Sequence, residues 1–310
     1  MIEQLPNTTV SKIANRLVSL RLEGGVSALG RVLTLVISAT DPVDEAAVEA
    51  ANHASSEHPM RVIVLVALPE ASESRLDAEI RVGADAGASD VIILRAYGEV
   101  SSGLESLVNG LLLPDAPVVV WWPGEAPELP GADPLGRIAQ RRITDSAAVD
   151  ADAFTDRVLA YTPGDTDLAW TRLTRWREYL AAILDQAGFG PVTSVDVVGG
   201  LDSPSTRVLA AWLKLALEVP TEFQIVRDDS PLGGVRSVTL HSANGAARLA
   251  RVAPDRAVLS QPGQPDHEIV LPRRTLRECI AEELRILDED VTYGRVVGQL
   301  ELDTRTEQPA

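Results

Sequence analysis

The chain of 310 residues is 45% hydrophobic, enough for two cores, and carries 45 Asp and Glu against 28 Lys and Arg, a formal charge of −17. That field repels phosphate backbones and anionic bilayers, so neither nucleic acid nor a membrane is an expected partner. A single cysteine, Cys279, excludes an internal disulfide and a cysteine-built metal cage.

The opening MIEQLPNTTVSKIANRL lacks the apolar run of a secretory leader, and no apolar stretch approaches the ~20 residues of a bilayer span. The expectation is a soluble cytoplasmic protein. Val10, Ile13, Leu17 and Leu20 recur at helical spacing and predict a first helix, ended by Gly24-Gly25. RVLTLVISA (31–39), RVIVLVAL (61–68), DVIILRAYG (90–98) and PVVVWWPG (117–124) read as buried strands. LDAEIRVG (76–83) alternates and reads as a more exposed strand. Between them lie helical stretches, the alanine-rich DPVDEAAVEAANHASSEHP and SGLESLVNGLLL (102–113). Strands alternating with helices imply an α/β fold with a largely parallel sheet and flanking helices. ADAFTDRVLAYT is expected to close that domain as a helix, with the boundary at PGDTD (163–167).

Beyond it, a long helix is predicted over 168–188, then a strand, VTSVDVVGG (192–200), and a helix, SPSTRVLAAWLKLALE (203–218). TEFQIVRD, GVRSVTLHS, AARLARV and RAVLSQ follow with turn signals between them, as in an antiparallel meander. TLRECIAEELRILDEDV (275–291) reads as a last amphipathic helix and ELDTRTEQPA as polar tail. The expected organisation is an N-terminal α/β domain over 1–164, a C-terminal α+β domain with an antiparallel meander over 165–303, and a tail over 304–310.

A search for chemistry finds none marked by spacing. GVSALGRV (25–32) has Walker A glycine spacing but places Arg31 and Val32 where Lys and a hydroxyl are needed, and it runs into a strand. GADAG (83–87) has the spacing of a nucleophile elbow around Asp85, yet reads as a glycine turn. His53 and His58 lie five apart and face different sides of a helix, and His241 and His267 stand singly. Cys279 sits among Glu278, Glu282 and Glu283, which disfavours a thiolate. No Gly-x-Gly-x-x-Gly joins a strand to a helix. No cofactor, metal or catalytic residue is expected. In VVGGLDSPSTR (197–207), Gly199, Gly200, Ser203, Ser205, Thr206 and Arg207 could form an anion site at a helix start; the same residues also read as an ordinary cap, with Asp202 or Ser203 at the N-cap.

DLAWTRLTRWRE (167–178) concentrates two tryptophans and three arginines. Ala169, Leu173, Trp176, Leu180 and Leu184 form one helical face, which a core claims. Trp170, Arg172 and Arg177 fall off that face, and exposed Trp and Arg are the residues that dominate partner surfaces. WWPGEAP (121–127) poses the same alternative: Trp121 and Trp122 point to opposite faces, one to the core and one to the rim. Arg141 and Arg142 in RRITDS, with Asp145 nearby, make a local positive spot.

Six segments together resemble one family. GGVSALGRVLTLVI, ANHASSEHPMRVIVLV, LDAEIRVGADAGASDVIILRAYG, LLLPDAPVVVWWPGEAP, DPLGRIAQRRITDS and GDTDLAWTRLTRWRE stand in the order seen in OpcA, the glucose-6-phosphate dehydrogenase assembly protein family. The resemblance implies a non-enzymatic partner of glucose-6-phosphate dehydrogenase that promotes its active form and supports NADPH supply through the oxidative pentose phosphate pathway. Membership of these segments together with residue chemistry makes Trp121, Trp122, Arg141, Arg142, Trp170, Arg172 and Arg177 candidate contacts, each of which also reads as structural, and leaves self-association open. In photosynthetic members the family is linked to thiol-based redox control, which Cys279 alone cannot provide within one chain. The alternative reading is a sugar-phosphate- or nucleotide-binding regulatory module using the 197–207 turn.

Overall fold

The computed structural model describes residues 1–23, 32–82, 90–148, 151–186, 189–200, 203–227 and 232–307. In chain order it begins β1 (Ile2–Leu5), α1 (Val10–Glu23), β2 (Leu33–Ala39), α2 (Glu45–Ala54), β3 (Met60–Leu68), β4 (Arg75–Arg81), β5 (Asp90–Tyr97), α3 (Leu104–Asn109), β6 (Val118–Trp122), α4 (Pro134–Arg137) and β7 (Arg141–Thr144). Then come α5 (Ala151–Leu159), β8 (Asp165–Asp167), α6 (Leu168–Thr171), α7 (Thr174–Leu184), β9 (Val192–Gly200), α8 (Pro204–Leu217) and β10 (Thr221–Val226). The last elements are β11 (Val235–Ser242), β12 (Gly245–Ala253), β13 (Arg256–Ser260), β14 (His267–Val270), α9 (Leu276–Glu283) and α10 (Val291–Glu307).

The chain divides into two units, and it passes between them more than once. Unit one comprises Met1–Thr144, Gly164–Thr166 and Thr275–Glu289; unit two comprises Asp145–Pro163, Asp167–Arg274 and Asp290–Ala310.

Unit one is built on an eight-stranded sheet in the order β1-β4-β5-β3-β2-β6-β7-β8. The run β5-β3-β2-β6-β7 is parallel, while β4 and β1 add antiparallel at one side. The central strands are apolar at successive positions because both faces are covered. Val36, Ile63, Ile92 and Val120 pack with Ile13, Leu17 and Leu20 of α1. Their alternates Leu35, Ile37, Val62 and Val64 are also buried, as are Ala47, Val48, Ala50 and Ala51 of α2. The small side chains of α2 allow close packing, here against α9. β4, expected to be exposed, is an interior strand between β1 and β5, with Leu76, Ala78, Glu79 and Ile80 buried. Its alternation reflects ion-paired polar residues, such as Glu79 with Arg81, rather than a wet face. The helix expected over 102–113 is confined to α3, preceded by a 3-10 turn over Gly98–Gly103.

Unit two carries a six-stranded sheet in the order β10-β9-β11-β12-β13-β14. β9, β11, β12, β13 and β14 form an antiparallel run. TEFQIVRD departs from the expected meander: β10 pairs parallel with β9, because α8 intervenes and returns the chain to the same end of the sheet. One sheet face, through Val195, Val197, Val238, Leu240, Leu249 and Leu259, packs with Trp176, Leu180, Leu209 and Val296 from the helices. α5 contributes Phe154 and Val158 to this same core. The long helix expected over 168–188 is two helices, α6 and α7, broken at Arg172 and Leu173. At the break the Thr171 carbonyl accepts from Thr174 Oγ1 at 3.0 Å and Arg274 Nη1 at 2.7 Å. The expected helix over 275–291 ends at Glu283, and much of the expected polar tail is helical, since α10 runs to Glu307. No helix among the described residues is long and apolar enough to cross a membrane.

Candidate functional site

The expected Trp/Arg surface begins on β6, which lies between β2 and β7, and an interior strand under two covered faces has no rim to offer. Trp121 is 0% exposed and Trp122 3%, so the expectation that one of them reaches the surface is corrected.

β7 supplies the second correction. Arg141 and Arg142 are adjacent on a strand, so their side chains leave on opposite faces. Each meets a carboxylate inside unit one. Arg141, 4% exposed, donates from Nε and Nη2 to Glu283 Oε2 at 3.1 and 2.6 Å, and from Nη1 to the Asp288 carbonyl at 2.8 Å. Arg142 donates from Nε to Asp165 Oδ1 and from Nη1 to the Ala139 carbonyl at 3.2 Å. The expected positive spot is therefore a pair of buried, charge-balanced anchors. Asp165 comes from β8, whose DTD carries no sequence signal beyond that of a domain boundary.

In unit two, Trp170 is 2% exposed and belongs to the core. Its Nε1 donates to Asp290 Oδ2 at 2.7 Å, the Tyr293 ring lies 5.8 Å away, and the Arg177 guanidinium stacks 3.5 Å above its indole. Asp145, expected beside the β7 arginines, instead accepts both Nη atoms of Arg172 at 2.6 and 2.7 Å. Of the seven expected contacts, Arg172 and Arg177 keep part of their surface and the other five are buried. The apolar stripe of the same stretch, from Ala169 through Leu180, is buried as its spacing requires.

The described part of the 197–207 segment starts α8 with an ordinary cap at Ser203. Ser203 accepts from Thr206 N, and Thr206 Oγ1 donates to Ser203 Oγ at 2.8 Å. Ser205 donates to the Ala169 carbonyl at 2.9 Å. Gly199 is required because a Cβ there would lie 1.8 Å from Thr206 Oγ1. Arg207 points elsewhere, 5.7 Å from the Phe223 ring. Hence Arg207 does not join Ser203, Ser205 and Thr206 at the helix start. Walker-like 25–31 and the GADAG turn at 83–87 lie outside the described residues, as do Asp202 and the last tail residues 308–310.

A cationic cluster that local sequence patterns do not mark lies next to this cap. A pocket of about 240 Å³ is lined by Ser203, Ser205 and five arginines, Arg172, Arg175, Arg251, Arg273 and Arg274. Arg251 is buried and donates from Nη1 to the carbonyls of Pro254 and Leu271 at 2.7 and 2.6 Å. Burial first, then the Arg273 charge, hold its guanidinium below the ordinary arginine value, with Asp255 acting the other way. The available signal was PRR at 272–274, a basic dipeptide in an acidic chain.

These features define a two-unit α/β protein whose conspicuous tryptophans and β7 arginines serve its own interior. Residues 51–160 match the family model for the N-terminal domain of a glucose-6-phosphate dehydrogenase subunit, and residues 163–297 match the model for the C-terminal domain of that subunit. The chain belongs to the OpcA family of glucose-6-phosphate dehydrogenase assembly proteins. No curated protein matches it in sequence. In fold it is similar to KijD10, a 3-ketoreductase from Actinomadura kijaniata, solved with NADP and TDP-benzene, at TM-score 0.50 and 11% identity over 88% of this chain and 96% of that one. An oxidoreductase from Sinorhizobium meliloti gives TM-score 0.49 and 9% identity over 88% of this chain and 95% of that one. At such identity the likeness is one of fold alone.

Proposed function

We propose that this chain is a non-catalytic assembly factor that binds glucose-6-phosphate dehydrogenase in the cytoplasm and favours its active form, supporting the oxidative pentose phosphate pathway. The observation that carries the reading is the pair of family matches, which together account for most of the sequence from 51 to 297. A second observation supports the absence of dinucleotide chemistry. In an open parallel sheet a nucleotide sits where strand order reverses, on a glycine turn that leads to a helix N-terminus. Here the order reverses at β2, between β3 and β6. The turn that follows is TDPVDE, without glycine. Asp44 caps α2 by accepting from Ala46 N at 2.9 Å, and Glu45 fills its first turn, so carboxylates occupy the place a pyrophosphate would take.

Activation by binding requires unequal affinity for the active and inactive dehydrogenase. A hundredfold preference corresponds to roughly 2.7 kcal/mol. Arg172 and Arg177 remain proposed contacts; the buried five would act only by holding the fold. The test is co-purification with the dehydrogenase of the same organism, followed by its activity with and without this chain. A stable complex with raised activity is expected. No complex, together with identical turnover in both samples, would end the proposal.

A further inference from the structure

The five-arginine pocket of unit two runs against the charge of the whole molecule. The chain has a formal charge of −17, yet none of the described residues lining this pocket is acidic. Arg172 brings its own counter-ion, Asp145. Arg251 and Arg273 are held differently: Arg251 by the Pro254 and Leu271 carbonyls, and Arg273 by the Gly233 carbonyl. A carbonyl orients a guanidinium without cancelling its charge. Burial, and after it the charge of the exposed Arg273, lower the proton affinity of Arg251, and Asp255 offsets them only in part. Such an arrangement is unfavourable alone and favourable around an anion.

We propose that this pocket binds a phosphate group, of free phosphate or of a small phosphate ester, against Arg251 and Arg273. Several guanidinium forks match the oxygens of a phosphate dianion better than a single carboxylate. A volume of about 240 Å³ suits a phosphate with a small organic body. The site differs from the expected 197–207 set, whose hydroxyls are engaged with one another and with the Ala169 carbonyl. It does not rest on the dehydrogenase, because the isolated chain suffices to test it.

The experiment is calorimetric titration of the full chain with inorganic phosphate and, separately, with glucose 6-phosphate at low ionic strength, paired with thermal melts. Saturable binding of inorganic phosphate and a raised Tm are expected. Tighter binding of the ester identifies an organic phosphate as the ligand, and equal binding identifies free phosphate. Arg273→Ala should weaken binding about tenfold, the loss of one charge-assisted hydrogen bond, and Arg273→Lys should restore part of it. Circular dichroism confirms that each variant is folded; Arg273→Gln, which removes the charge and keeps the length, provides the same reading should Arg273→Ala not fold. No saturable phosphate binding by the folded wild-type chain, or unchanged affinity in the folded alanine variant, overturns the proposal.

Discussion

Arginine does two kinds of work in this chain, and the contrast runs between its units. On β7, Arg141 and Arg142 each meet a buried carboxylate, Glu283 and Asp165, and their charges are matched inside unit one. Around the pocket of unit two, Arg251 and Arg273 meet backbone carbonyls and keep their charge. The first pair fixes strands and holds α9 to its unit; the second keeps its charge, which Asp255 offsets only in part. Residue type alone says nothing of this difference, because it is set by the acceptor at the far end of the guanidinium.

The comparison can be broken most forcefully at Arg141. Arg141→Met leaves Glu283 buried without its cation and should destabilise the chain by about 3–5 kcal/mol in urea unfolding. Adding Glu283→Leu should recover most of that loss. A cost of only a few tenths would mean that Arg141 is not the anchor described. Trp170→Phe keeps an aromatic ring for Arg177 but deprives Asp290 of its 2.7 Å donor, so about 1–3 kcal/mol should be lost. At the pocket the expected sign changes. Arg273→Ala removes a like charge from beside Arg251, and stability should shift by less than about 0.5 kcal/mol or rise slightly. A large loss there would erase the distinction between the two sets.

The smallest effect concerns pH. The Arg81 hydrogen bond holds the Glu45 carboxyl below its usual value of 4.5. A carboxyl depressed in the folded state stabilises fully above its unfolded value, and that contribution is lost as pH falls through the folded one. Acid unfolding followed below about pH 4.5 should therefore be shallower in Glu45→Gln than in the wild-type chain. Because Glu45 is largely exposed, water and salt screen the pair and the difference should be modest.

The sheet of unit one was legible where burial is apolar on both faces. β2, β3, β5 and β6 announce themselves as unbroken aliphatic runs, which parallel strands between helices require. β1, β7 and β8 did not: IEQL is a short, largely uncovered edge strand, and RRIT and DTD carry polar side chains whose burial depends on distant partners. For β7 those partners stand 142 and 23 residues away, beyond any local pattern. The same blindness misplaced the site: a cluster of Trp and Arg is equally a surface or an interior until the acceptors are known. The break between α6 and α7 falls at Arg172 and Leu173, with neither Gly nor Pro to signal it. The pocket gathers residues from positions 147 to 274, and no window of sequence shows that convergence.

Cys279 on α9 is 0% exposed and is the chain's single thiol. A maleimide can reach it only from conformations in which that helix has come loose. Its labelling rate is thus a built-in clock for local opening, and comparing that rate with global unfolding tells whether α9 lifts alone or only when all of unit one melts.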